Sequence, residues 1–148
     1  LKREGKNWLV EFSDCPGCQT FGRSRDEALA MAREALEGWI EVHLIDGASP
    51  PRPKRRKGTE VAIGSRLSVA LQIRWLREDL GLTQAQLAKR VGVSQQQVAK
   101  LENPTANPSI ATLEAVAKGA GAVLDVKLVH DDRFPARAHD PKQGRRVS

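Results

Sequence analysis

TQAQLAKRVGVSQQQVAKLE, Thr83 to Glu102, is the stretch on which the reading of this chain turns. Thr83 precedes Gln86 by three residues and Ser94 precedes Gln97 by three. Each pair is a capping-box pattern, with a hydroxyl that accepts from the third helical N–H and an amide that reaches back to the cap. Two helices are therefore expected, starting eleven residues apart. Gly92 falls between them, where the chain must turn sharply and a residue without Cβ takes positive φ at no steric cost. Ala88 is small enough to let the helices approach, and Leu87, Val91, Val93, Val98 and Leu101 recur at spacings suited to one shared core. What remains outward on the second helix is Gln95, Gln96, Gln97 and Lys100. A glutamine amide bonds bidentately to the adenine edge in the major groove, and lysine reaches guanine acceptors or phosphate. A helix this short enters the groove by its N-terminal end. The competing reading is a helical hairpin used only for packing or dimerisation, with its glutamines solvated.

These residues are similar to the Xre-like DNA-binding domains of lambdoid phage repressors, including the LGLTQ entry at 80–84 and the glutamines that open the second helix. The resemblance spans Leu67 to about Gly121. It implies a phosphate-clamping Gln84, base contacts from Gln95, Gln96 and Lys100, and a Ser94 that caps its helix and touches a phosphate as well.

A chain of 148 residues, 40% hydrophobic, can bury real cores, and two small domains are the better expectation for this length. Three Trp, three Phe and no Tyr leave aliphatic side chains to fill those cores. No apolar run approaches membrane-spanning length and no signal-peptide pattern opens the chain, so a cytoplasmic protein without a membrane partner is expected. The first residue is Leu1 rather than Met, so a few initial residues are expected to be missing or removed. The net charge of +6 divides unevenly. Residues 1–51 carry six basic and nine acidic groups, the run RPKRRK at 52–57 carries five basic groups, and the remainder is mildly basic. An acidic front and a basic back point to different partners, a cationic one in front and nucleic acid behind.

In the front part, Trp8–Phe12 is β-prone, a shorter strand within Leu1–Lys6 precedes it, and Gln19–Gly22 follows a turn signalled by Asp14, Pro16 and Gly17. The expected product is an antiparallel meander with a first hairpin at Glu4–Lys6. Ser24 and Glu27 form a third capping pattern, and Leu29, Ala32, Leu36, Trp39 and Ile40 repeat on one helical face until Asp46 and Gly47. That helix is long enough to cover one face of the sheet.

The line FSDCPGCQTFGRSRDEALAMAREALEGWIE, Phe12 to Glu41, with the proline cluster SPPRP at 49–53, resembles the HicB family of antitoxins over roughly Trp8 to Pro53. The resemblance implies a partial ribonuclease-H-like fold. It also implies a small basic HicA-like ribonuclease toxin as partner, and a HicB-like front joined to an Xre-like back is a known arrangement of that family. Nuclease chemistry needs several carboxylates converging on one or two cations. Glu11 and Asp14 stand near the sheet's centre without an obvious carboxylate partner, and Asp26, Glu27, Glu34, Glu37 and Glu41 are spread along the helix. A binder without catalysis, cofactor or metal is the expectation.

Cys15 and Cys18 form a C-x-x-C. A tetrahedral zinc site needs two further ligands and a thioredoxin-like site wants a helix N-terminus, whereas this pair sits in a turn and His43, His130 and His139 are scattered. Two reduced thiols are the preferred reading over a metal or redox role. The basic run at 52–57 lies among prolines and reads as an extended linker, either solvated only or adding salt-sensitive phosphate contacts. Thr59–Ile63 is a short β-prone patch able to close the sheet's edge, and Leu67–Leu80 reads as a helix ended by Gly81. Ser109 caps a last helix containing Leu113, Val116 and Ala117, which Gly119 and Gly121 break. Ala122–Val129 alternates like a strand, which must pair with the front sheet or, by preference, with its counterpart in another subunit. Residues 131–148 read as a flexible tail.

The expected fold is α+β: a small antiparallel sheet with one covering helix at 1–51, a basic proline-rich linker and short strand at 52–64, and an all-α helix-turn-helix domain with a C-terminal strand at 65–130. The resemblances imply an antitoxin that neutralises a HicA-like toxin and represses its own operon by binding operator DNA as a homodimer or dimer of dimers. The alternative is a helix-turn-helix transcription regulator whose front domain senses a ligand or redox state.

Overall fold

The computed structural model describes residues 1–54 and 57–128; the expected tail at 131–148 and the linker arginines at 55 and 56 lie outside them. Three strands open the chain, β1 (Lys2–Glu4), β2 (Asn7–Glu11) and β3 (Gln19–Gly22). They pair antiparallel in the order β1-β2-β3. Gly5, at φ +60°, turns the first hairpin. The register sets Lys2, Leu9 and Phe21 abreast. Alternation then sends Trp8 and Val10 to the opposite face of the sheet. There α1 (Arg25–Ile45) lies across the strands, and Val10 packs with Ala28 and Ala32 between Trp8 and Phe12.

Ser24 caps α1 as its sequence predicts, its hydroxyl accepting from the Glu27 N–H at 3.1 Å. The Glu27 carboxylate, however, reaches past the cap to the Arg23 N–H at 2.7 Å. Gly22 is set by distance: a Cβ there would lie 2.4 Å from the Ala28 nitrogen. Helix and strand backbones thus meet where only glycine leaves room.

The second half of α1 builds another core. Ile40 and Leu44 pack with Leu67, Ala70 and Leu71 of α2 (Ser65–Asp79), with Leu36, Trp39, Ile63 and Trp75 around them. One helix therefore serves the sheet with its first half and α2 with its second. The proline-rich stretch is strapped across α2. The Trp75 indole donates to the Pro50 carbonyl at 3.0 Å. Arg52 donates to the Trp75 carbonyl at 2.9 Å, pairs with Asp79 at 2.6 Å and lies 5.6 Å above the Trp75 ring. Arg52 is exposed, as a linker residue should be, but its charge is engaged within the chain. The short strand expected at 59–63 does not form. Val61 packs against the sheet core and Ile63 against the α1–α2 core, so these side chains are drawn in singly and the backbone finds no ladder.

Helices α3 (Gln84–Val91), α4 (Gln95–Leu101) and α5 (Ile110–Gly119) complete the order. Leu87, Ala88 and Val98 pack with Ala120, and Leu76, Leu80, Leu82, Val91 and Val93 surround them. Leu101 turns away from that cluster toward Ile73 and Val116. The C-terminal strand expected at 122–129 is not formed over its described part. Residues 122–128 join no ladder, and Val123 and Leu128 are fully in solvent, at 92% and 101% exposure. The option of pairing with the front sheet is thereby overturned among the described residues, since a segment that joins no ladder is not a strand.

Candidate nucleic-acid interface

Both capping boxes of the helix-turn-helix are closed by reciprocal bonds. The Thr83 hydroxyl accepts from the Gln86 N–H at 3.2 Å while the Gln86 side chain accepts from the Thr83 N–H at 2.9 Å. Ser94 and Gln97 repeat the pattern at 3.2 and 3.0 Å. Gly92 ends α3 in the left-handed region, φ +83°, where its N–H and that of Val93 bond the Ala88 carbonyl. The turn is thus fixed by backbone geometry that a side chain would strain.

A buried charge network sets the angle of the motif. Glu102, 4% exposed, follows α4 and accepts from Arg77 of α2 through both carboxylate oxygens, at 2.5 and 3.0 Å. Arg77 also donates to the Leu82 carbonyl at 2.8 Å, and the Gln84 amide donates to Glu102 at 3.1 Å. The bond to Glu102 tightens the Arg77 guanidinium's hold on its proton. The end of α2, the start of α3 and the end of α4 are in this way held by one carboxylate. Bidentate geometry fixes orientation as well as distance.

The expected contact residues fall into three groups. Gln95, Gln96 and Lys100 are exposed on α4, and among the described residues no hydrogen bond engages their side chains. Each glutamine keeps both its carbonyl and its amide, the pair that bidentate adenine recognition needs. Ser94 and Gln97 are exposed but bonded to each other's backbone, so the Gln97 oxygen is occupied and its NH2 remains. Gln84 is half-buried with one amide hydrogen on Glu102, leaving a second hydrogen for an acceptor such as a phosphate oxygen.

Sequence reasoning missed Arg77 and Glu102 as a pair. Glu102 sits on the stripe Val98, Leu101, Glu102, spaced i, i+3, i+4. A carboxylate at a core position requires a buried partner, and that was the available signal. Lys89 and Arg90 were also passed over; they are exposed at the end of α3.

In the front part, Cys15 and Cys18 are buried free thiols in a tight turn, where the Cys18 N–H donates to the Cys15 carbonyl at 3.0 Å and Cys15 to that of Phe12 at 3.1 Å. Burial pushes both thiols up, and Cys15 rises further beside Cys18 and Asp14. Such thiols are poor nucleophiles near neutral pH. Among the described residues no three His, Cys, Asp or Glu side chains are grouped to hold a metal ion, and no helix is long and apolar enough to cross a membrane. The Asp14 carboxylate accepts from the Lys54 N–H at 3.4 Å, across the turn from the proline strap.

Two family models match the chain. One, described as HicB_like antitoxin of bacterial toxin-antitoxin system, covers residues 2–61, and a helix-turn-helix model covers residues 73–122. Antitoxin HicB 1 of Photorhabdus laumondii is 33% identical over 127 residues, spanning 84% of this chain and 81% of that protein. Antitoxin HicB of Escherichia coli K12 is 29% identical over 124 residues, 82% and 90% of the two chains. The Immunity repressor protein of Bacillus phage phi105 is 40% identical over 55 residues, 37% of this chain and 38% of its own length.

Proposed function

The chain belongs to the HicB family of antitoxins and carries a helix-turn-helix, and from that premise we propose that it neutralises a small basic HicA-like ribonuclease toxin and represses its own operon. The part at 1–51 holds the toxin, and the part at 65–130 reads the operator. Both act by binding, without chemistry of their own, in the cytoplasm. The observation that carries the reading is the free polar face of α4, held by the Arg77–Glu102–Gln84 network and joined through the α1–α2 core to a HicB-like sheet and helix.

Gln95 and Gln96 contact base edges, Lys100 a base or phosphate, and Gln84, Ser94 and Gln97 add phosphate or groove contacts. Repression uses two such helices about 34 Å apart on one face of the DNA, the spacing of successive major grooves. The segment 122–128 supports a two-fold dimer, because its exposed valines and leucine lack a ladder among the described residues that a second copy supplies.

The test is coexpression with a small basic HicA-like toxin, read as growth rescue and co-purification, together with an operator gel shift. Rescue, a stable complex and a specific shift are expected. A chain that shifts operator DNA but neither rescues growth nor co-purifies contradicts the antitoxin reading. Point substitutions separate the two activities better than truncation, since removing α1 would uncover Leu67, Ala70 and Leu71.

A further inference from the structure

Helix α1 has a second apolar face that nothing in the described chain covers. Met31, Ala35, Gly38, Val42 and Ile45 follow the i, i+4, i+7, i+11, i+14 spacing of a helical seam. Met31, Val42 and Ile45 are 41%, 56% and 73% exposed. The faces that meet the sheet and α2 are those of Ala28, Ala32, Ile40 and Leu44. The seam runs for about 21 Å at 1.5 Å per residue, long enough for a partner helix or a sheet edge to lie along it.

Two observations say what covers it. The first is charge. Glu27, Glu34 and Glu41 repeat at seven-residue intervals along one border of the seam, and the arginines of α1, Arg25 and Arg33, lie on other faces. Arg33 is moreover paired with Glu37 at 3.0 Å. Glu27 serves the helix start, whereas among the described residues no ion pair or hydrogen bond engages the side chains of Glu34 or Glu41. The second is Gly38. A glycine inside a helix costs about 0.5–1 kcal/mol relative to alanine. Other helix-facing glycines of this fold are explained by close packing, as Gly22 is, but a Cβ at Gly38 would meet nothing within 4 Å. The seam therefore has a notch with no use among the described residues.

We infer that the Met31–Ile45 seam is the docking surface for the toxin: apolar side chains enter the notch at Gly38, and lysines or arginines beside them meet Glu34 and Glu41. This assignment rests on the antitoxin reading for the partner's positive charge. A second copy of this chain fits worse, since the seam offers no cation to answer its own glutamates. Electrostatic complementarity of this kind governs association rate and salt dependence more than the area buried.

The experiment measures binding of the full-length chain to a purified small basic HicA-like toxin carrying an inactivating substitution. Wild type is compared with Gly38→Leu and with Glu34→Lys/Glu41→Lys at low and high salt. Each variant is expected to weaken binding at least about tenfold, the charge variant with a shallower salt dependence, while operator affinity is retained. Gly38→Leu is also expected to leave thermal stability equal or higher, because leucine is the better helix former; lost binding cannot then be blamed on lost fold. Wild-type affinity in both variants would overturn the seam and leave the antitoxin reading standing. A changed oligomeric state of the free chain with unchanged toxin affinity would overturn it too, by making the seam a self-interface. A wild-type chain that does not bind the toxin removes both readings together.

Discussion

The helix-turn-helix and helix α1 use polar side chains in opposite ways. Around α3 and α4 they are bonded within the chain: Gln86 and Gln97 close helix starts, and Arg77, Gln84 and Glu102 tie three helices together. On α1 the outward glutamates at 34 and 41 support no internal structure, and the helix is held by apolar faces against the sheet and α2. The difference teaches where each surface gets its shape. The α4 face is oriented by buried electrostatics, whereas the α1 seam is simply what packing leaves over. One polar substitution should therefore be severe in the first region and nearly silent in the second.

The largest contrast is expected between Glu102→Ala and Glu34→Ala. Removing Glu102 strands a largely buried guanidinium and should cost about 3–5 kcal/mol of unfolding free energy. Glu34→Ala should stay within about 0.5 kcal/mol. Denaturant titrations followed by circular dichroism measure both, and equal small effects would break the comparison.

Next come two glycines on the front part. Gly22→Ala forces the β3 and α1 backbones apart and should cost about 1–3 kcal/mol. Gly38→Ala, with open space around it, should instead stabilise by about 0.5–1 kcal/mol. Opposite signs in the melting temperature would sharpen the claim that only the first glycine serves the fold.

The caps follow. Thr83→Ala and Ser94→Ala should each lose about 1 kcal/mol, and Ser24→Ala a similar amount. If Ser24→Ala were the costliest of the three, the reciprocal bonds of the two motif boxes would count for less than the comparison requires.

The smallest effect concerns pH. Burial raises Cys15 and Cys18 in the folded chain, so the thiols hold their protons more tightly folded than unfolded. Their contribution is fully present below the unfolded thiol pKa of about 8.5 and is lost as pH rises through the folded value. Replacing both by alanine should flatten the fall of stability above about pH 8.5, on that same linkage, as denaturation at several pH values would show.

Much of this was legible in the sequence because it rests on local chemistry. Hydroxyl-and-amide spacing marked both motif helices, Gly92 and Gly81 marked helix ends, and alternation with turn residues marked the three strands. Elements that depend on distant partners were not legible. Val61 and Ile63 read as a strand and became core plugs, because nothing local says that α1 and α2 offer them a cleft. Ala122–Val129 read as a strand for its alternation, yet a strand exists only with a ladder partner. In the candidate interface, residue identities and the Ser94–Gln97 cap were readable, but the engagement of Gln84 by Glu102 was not, since it follows from how three helices meet.

The division between an oriented reading face and a docking seam is tested most directly by Gln95→Ala/Gln96→Ala, assayed in parallel for operator binding and for toxin binding. Both residues are exposed and, among the described residues, no hydrogen bond engages their side chains, so fold and toxin affinity should be unchanged. Operator affinity should fall by about tenfold or more, the loss expected when bidentate base contacts are removed. Unchanged operator affinity, or a matching loss of toxin binding, would contradict the account.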